Sequence, residues 1–197
     1  MSLIKTSLTS LLVSALTLGV ATAAPAPLST FKGPVTFSSD APLEKINGVA
    51  KAQGELRVDL AHLDQLEGDV SVEVKSMKTG NEKRDAHMYG DEWLDASKCP
   101  KITYSFKGAE VLDQKTEGDV SSYRLKVKGE FSLHCVKKPM EAVVQLKTKG
   151  PLAKASTSFT VALKDYNIEG KKGVVGDKVG NTIDVKVSLK SKLKGAK

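Results

Sequence analysis

Three histidines, two cysteines and one Arg-Asp-x-His cluster are the residues of this chain with the most chemistry to offer. His62, His87 and His134 fall on separate segments, with no HExxH or other metal-ligand spacing between them. No serine stands in a nucleophile motif. Gly173, Gly176 and Gly180 lie in a loop with no helix behind them, so they are not the phosphate-binding turn of a dinucleotide site. Cys99 and Cys135 can form a bond, or stay as two thiols with a redox or metal use. Arg84, Asp85 and His87 can either meet the head of a ligand or hold the chain itself, since a sheltered arginine or aspartate needs a partner. These groups make no catalytic constellation. The expectation from these residues is a chain that is not an enzyme, with no metal and no cofactor.

The elements that must position these groups read as strands. Apolar residues alternate with polar ones at Leu56-Val58-Leu60, Val70-Val72-Val74, Ile102-Tyr104-Phe106 and Tyr123-Leu125-Val127-Phe131-Leu133. The same period returns at Ala142-Val144-Leu146, Phe159-Val161-Leu163 and Ile183-Val185-Val187-Leu189, and Val35 with Phe37 opens the series. Period two with one apolar face is the signature of antiparallel strands wet on one side. Gly, Asp, Asn and Pro separate the stripes, as at Leu66-Glu67-Gly68-Asp69 and Glu117-Gly118-Asp119. About eight such strands make a barrel or a sandwich, and the period does not choose between them. One stretch differs. Asn81 is a good helix N-cap and Glu82 suits the positive end of the dipole, so the spacing predicts a short helix over 82–89 with a turn at Gly90, covering one end of the sheet.

The chain opens on a secretory leader: Lys5, the apolar run Leu8–Val20, then Ala21-Thr22-Ala23 with small residues where a signal peptidase reads. Cleavage after Ala23 is expected, giving a periplasmic or secreted protein. That divides the chain into a signal peptide (1–23), an N-terminal lead (24–30), a barrel domain (31–190) and a basic C-terminal tail (191–197). Loss of Lys5 takes the net charge from +7 to +6. The excess is lysine scattered along the chain, which reads as a solvated surface with a secondary attraction to anionic membranes. There is no Arg-rich block with interleaved aromatics, so no nucleic-acid partner is expected. Oligomeric state is not legible.

From Val74 onward the sequence becomes specific. It reads Val-Lys-Ser-Met-Lys-Thr-Gly-Asn-Glu-Lys-Arg-Asp-Ala-His-Met, then Trp93-Leu94-Asp95-Ala96 and Pro100-Lys101-Ile102-Thr103-Tyr104. Lys128-Gly129-Glu130-Phe131 through Lys138-Pro139, Phe159–Leu163 followed by Lys164-Asp165-Tyr166-Asn167-Ile168, and Val179–Val187 continue the pattern. Taken in order, over roughly residues 31–190, these passages resemble the YceI-like family of polyisoprenoid-binding proteins. The resemblance implies an all-β, eight-stranded antiparallel lipocalin-like barrel with a short helix at one end. It also implies an interior pocket for a long isoprenoid chain, such as a quinone or polyprenyl tail. Two positions depart from the family together: Cys99 stands where an aromatic is common and Cys135 where a glycine is common.

On that frame the inward stripes supply the pocket: Val72, Val74, Ile102, Tyr104, Phe106, Leu125, Val127, Phe131 and Val161. They line a cavity or else fill a closed core, which would make the protein a solid interaction or stress-related module. Met88, Trp93 and Leu94, in the helix and its following turn, gate the mouth or merely pack on it. Arg84, Asp85 and His87 sit at the rim. A hairpin folding near Glu117 brings residue 99 opposite residue 135, so a Cys99–Cys135 disulfide is expected in the oxidising exported compartment, with two free thiols as the alternative. One mismatch stands against it: Cys135 continues the inward parity of its strand and Cys99 the outward parity of its own.

Overall fold

The computed structural model describes residues 26–40, 45–169 and 179–194. The leader over 1–23, Gly173 and Gly176, and the last three residues of the basic tail lie outside them. Eight antiparallel strands close into a barrel in which each strand pairs with its sequence neighbours and the last with the first. They are β1 (Leu28–Asp40), β2 (Lys45–Arg57), β3 (Glu67–Glu73), β4 (Lys101–Glu117), β5 (Val120–Leu133), β6 (Val136–Lys149), β7 (Leu152–Ala162) and β8 (Thr182–Lys192). β1 starts inside the predicted lead and β8 runs into the predicted tail. Both extensions pair: Leu28 lies opposite Arg57, and Lys192 opposite Leu152.

Within the strands the stripes seen in the sequence turn their apolar members inward. Phe31, Val35, Leu56, Val70, Leu125, Val127 and Leu189 are buried. Each such side chain taken from water stabilises the barrel by roughly 1.5–3 kcal/mol before conformational entropy is set against it. At one end, the buried Leu63 and Leu66 flank a 3-10 turn (Leu63–Gln65) that links β2 to β3. The other end carries helix α1 (Glu82–Tyr89), the β5–β6 turn and a 3-10 turn at Leu163–Tyr166. Asn81 caps α1, its side chain accepting from the Arg84 N–H at 3.1 Å, and Gly90 ends it. A helix of two turns is marginal alone. Tertiary bonds hold this one: Tyr89 donates its hydroxyl to the Met77 carbonyl, and Asp85 and Arg84 both bond Thr79.

The Cys99–Cys135 disulfide is present, with its Cα atoms 5.4 Å apart. The parity mismatch is absorbed in two places. The β4–β5 hairpin turns between Glu117 and Val120, slightly beyond Glu117, and two register shifts, between Phe106 and Ala109 and between Val111 and Asp113, draw the strands back so that Thr103 lies opposite Ser132. Gly108, at φ 124°, allows the first of these bulges. At the other partner, His134 and Cys135 take φ values of 50° and 58° and form a two-residue hairpin turn. Cys135 is therefore out of its strand, and its side chain no longer follows the alternation.

Candidate functional site

The barrel is hollow. A cavity of about 480 Å³ runs along its interior, within the range of roughly 300–1,000 Å³ typical of ligand sites. Of the residues expected to line it, Val72, Ile102, Tyr104, Phe106, Leu125, Val127, Phe131 and Val161 do, with Met88, Trp93 and Leu94 at the α1 end. Val74 is the correction. β3 ends at Glu73 and the chain turns into a 3-10 turn (Val74–Ser76), so the alternation that would have aimed Val74 at the lumen is lost. It is 1 % exposed, packed in the core, and its N–H donates to the Pro100 carbonyl at 2.9 Å. The second half of the lining went unnamed in the sequence: Met140 and Val144 on β6, Phe159 on β7, and Val185 and Val187 on β8. Their signal was the same period-two stripe. Once a barrel closes, every inward stripe faces the lumen.

Among the described residues the cavity wall holds no carboxylate and no lysine, and Arg84 is its one guanidinium. Most of its polar atoms are already engaged. Tyr104 packs its ring over Gly129, where a Cβ would lie 2.7 Å from the ring, and donates its hydroxyl to the Met140 carbonyl at 2.8 Å. Burial, with the charge of Glu141, pushes this phenol up to about 12, so it stays a neutral donor. Its ring also meets Phe106 edge to face at 4.7 Å. The result is a predominantly apolar wall.

Polar groups collect at the α1 end. Thr79, Asn81, Arg84 and His87 line the cavity there, with Ser39 of β1. Asp85 does not line it. Its carboxylate, 5 % exposed, lies behind the rim and accepts from the Thr79 N–H at 2.8 Å and the Thr79 hydroxyl at 2.6 Å. Arg84 donates from Nε to the Thr79 hydroxyl at 3.0 Å and from NH2 to the Thr79 carbonyl at 3.2 Å. Arg84 and Asp85 thus pin the approach to the helix, while His87 stands apart from the other histidines. His62 bonds Asp59 and His134 bonds the Tyr166 carbonyl, each at 3.0 Å.

Burial alone would raise the Asp85 carboxyl, but the two Thr79 bonds, with Lys78 and Arg84 nearby, outweigh it and hold the group below its usual value. An unfolded aspartate titrates near ~3.9. The stability this adds is therefore complete above that pH and drains away as pH falls through the lower folded value. Asp85→Asn is expected to lower stability at neutral pH by about 1–3 kcal/mol. The gap between wild type and variant should close as pH drops below ~4. Thermal melts across that range check it, and a gap independent of pH would count against the charged carboxylate.

The wall is incomplete on one side. The β6–β7 ladder covers only Val144–Lys149 against Leu152–Thr157. Above it, Val136–Val143 of β6 and Ser158–Ala162 of β7 carry no ladder to each other. The Thr157 hydroxyl closes the fork by donating to the Val143 carbonyl at 2.8 Å. At the far end Lys138 reaches Asp165 at 3.9 Å and the Tyr166 ring at 5.6 Å. Pro139 lies in the unladdered stretch, where a missing N–H costs nothing. Met140, Ala142, Phe159 and Val161 line the cavity beside this window.

The family profile of the YceI-like domain matches residues 29–191 of this sequence. The chain belongs to the YceI-like family. Among curated relatives, a UPF0312 protein of Vibrio cholerae is 32% identical over 90 residues, which is 46% of this chain and 43% of that protein. The chain therefore matches less than half the length of that relative. Solved structures share the fold at low identity. BcnA of Burkholderia cenocepacia gives a TM-score of 0.66 at 16% identity, over 81% of this chain and 95% of that one. A polyisoprenoid binding domain from Saccharophagus degradans, described as implicated in plant cell wall breakdown, gives 0.67 at 13%, over 86% and 99%. The YceI protein of Campylobacter jejuni gives 0.58 at 17%, over 73% and 81%. These proteins share the hollow barrel, whose wall in this chain is mostly apolar.

Proposed function

We propose that this YceI-like protein is exported and carries a long isoprenoid or other lipid chain, with the tail in the barrel and the polar head at the rim of Arg84, Asn81 and His87. The observation that carries this is the apolar cavity of about 480 Å³, lined by no carboxylate among the described residues. Burial of each methylene contributes roughly 0.8 kcal/mol, so a tail of several isoprene units supplies useful affinity even after immobilisation is charged against it. In this reading Met88, Trp93 and Leu94 gate the end of the cavity, and the chain acts by binding without catalysis. A Saccharophagus degradans domain of the same fold is described as polyisoprenoid binding, which supports the ligand class.

The direct experiment is to purify the exported protein without detergent, extract it with organic solvent and analyse the extract by mass spectrometry. A stoichiometric long-chain isoprenoid or lipid is the expected result. A protein that emerges empty from repeated preparations, and takes up no polyprenyl or quinone probe when offered one, would overturn the reading.

A further inference from the structure

Lysines that look scattered in the sequence meet on the outside of the barrel. Lys147 of β6 lies directly opposite Lys154 of β7, Lys154 opposite Lys190 of β8, and Lys190 opposite Lys32 of β1. All four are exposed. Strands are spaced about 4.8 Å apart, so the row runs roughly 14 Å across four adjacent strands. Like charges directly opposed across strands destabilise a sheet, and here three such pairs follow one another. Among the described residues the one carboxylate diagonal to the row is Glu55, opposite Thr30 beside Lys32, and it makes no ion pair with Lys32. The row ends on Gln53 at one side and Ser122 at the other, and the next row up is Gln145, Ser156 and Ser188. None of the four lysines makes an ion pair among the described residues. Elsewhere the lysines are matched locally: Lys101 with Glu73 and Lys126 with Glu110 at 3.1 Å, and Lys98 with Asp95 at 3.0 Å.

An apolar point stands within this charge. Leu152, at the tip of the β6–β7 hairpin, is 58 % exposed. It is paired between Lys149, which holds Asp119 at 3.0 Å, and Lys192. A shallow pocket of about 280 Å³ lies among Lys147, Lys149, Lys154 and Lys190, floored by Val120 and Ala153. Ammonium groups around one protruding leucine suit an interface in which phosphates lie at the surface and hydrocarbon just beneath it. No aromatic ring stands outward in these rows, so base stacking has no platform here.

We infer that the Lys32–Lys190–Lys154–Lys147 row, with Leu152, is a docking surface for an anionic phospholipid bilayer. It stands independently of what the cavity holds, because it is read from the outer face alone. Each lysine brought to an anionic surface strengthens binding about fivefold, and salt screens the contact.

The test is co-sedimentation of the full chain, as purified, with phosphatidylglycerol-containing vesicles and with pure phosphatidylcholine vesicles at low and high salt. The wild type is expected to bind only the anionic vesicles and to release in salt. The triple variant Lys147→Glu, Lys154→Glu, Lys190→Glu should bind about a hundredfold more weakly, and Leu152→Ser should weaken binding severalfold at unchanged charge. A matched triple, Lys75→Glu, Lys83→Glu, Lys164→Glu, alters net charge equally at exposed positions at the other end of the barrel and should lose less than tenfold. Circular dichroism confirms that each variant is folded, and Lys→Gln at the same three positions replaces any that is not. Equal loss in both triples, wild-type binding by the row variant, equal binding to neutral vesicles, or tighter binding to an oligonucleotide than to anionic vesicles would each overturn the assignment.

Discussion

Filling the barrel with Val144→Trp and Val187→Phe is expected to abolish retention of a long chain while leaving the protein folded. Both residues line the cavity at mid-height, on either side of Thr157, and both are only partly buried by the surrounding core. New rings at these positions enter space that the wall leaves open, so the strain of overpacking stays within about 1–3 kcal/mol. The loss to a ligand is larger. Excluding four or five methylenes forfeits about 3–4 kcal/mol, or a few hundredfold in affinity. Fluorescent polyprenyl binding measures it. Val143→Phe, on the outer face of the same strand at 40 % exposure, is the matched control and should bind as wild type. If the double variant keeps its affinity, the tail does not lie in this cavity.

Replacing both cysteines by serine is expected to cost about 3–4 kcal/mol, since the bond closes a loop with a sequence separation of 36. For a domain of this size that is a fall of roughly 6–15 °C in melting temperature. The bond does more than close a loop. Cys135 sits at φ 58° beside His134 at φ 50°, a left-handed turn that side chains other than glycine adopt at a cost. The disulfide holds the turn in place. Cys99→Ser with Cys135→Gly should therefore recover about 1 kcal/mol relative to the double serine, because glycine takes that conformation freely. Melts in oxidising buffer, with reduction of the wild type as a third arm, check both parts. A double serine that melts within 2 °C of wild type would mean that the hairpin needs no staple.

These outcomes turn on different layers of information. The strands were legible because alternation is local: Leu125, Val127 and Phe131 share a face in any pleated chain, whatever lies beside it. The short helix was legible for the same reason, Asn81 capping it and Gly90 ending it. The disulfide was half legible. Counting back from Glu117 found the right partners, but the parity of Cys99 and Cys135 argued against them until two bulges and a left-handed turn resolved it. Val74 was misread because its stripe runs past the end of its strand, and where pairing stops is not written in the alternation. The unladdered β6–β7 window had one sign in the sequence, Pro139, whose missing N–H marks an edge only after the neighbour is known.

Residue order alone determined period-two apolar stripes on one face of each strand and the short capped helix set among them. Whether those stripes enclose space or meet in the middle was decided by closure, because interior volume depends on the number of strands, their tilt and their stagger around the whole ring. The same closure placed β8 against β1 and so brought Lys190 beside Lys32, residues that are distant in the chain and next to each other in the sheet. Side-chain direction is set by a residue and its immediate neighbours. Register between strands is set by the sum of every turn and bulge around the barrel, and only the folded molecule carries that sum.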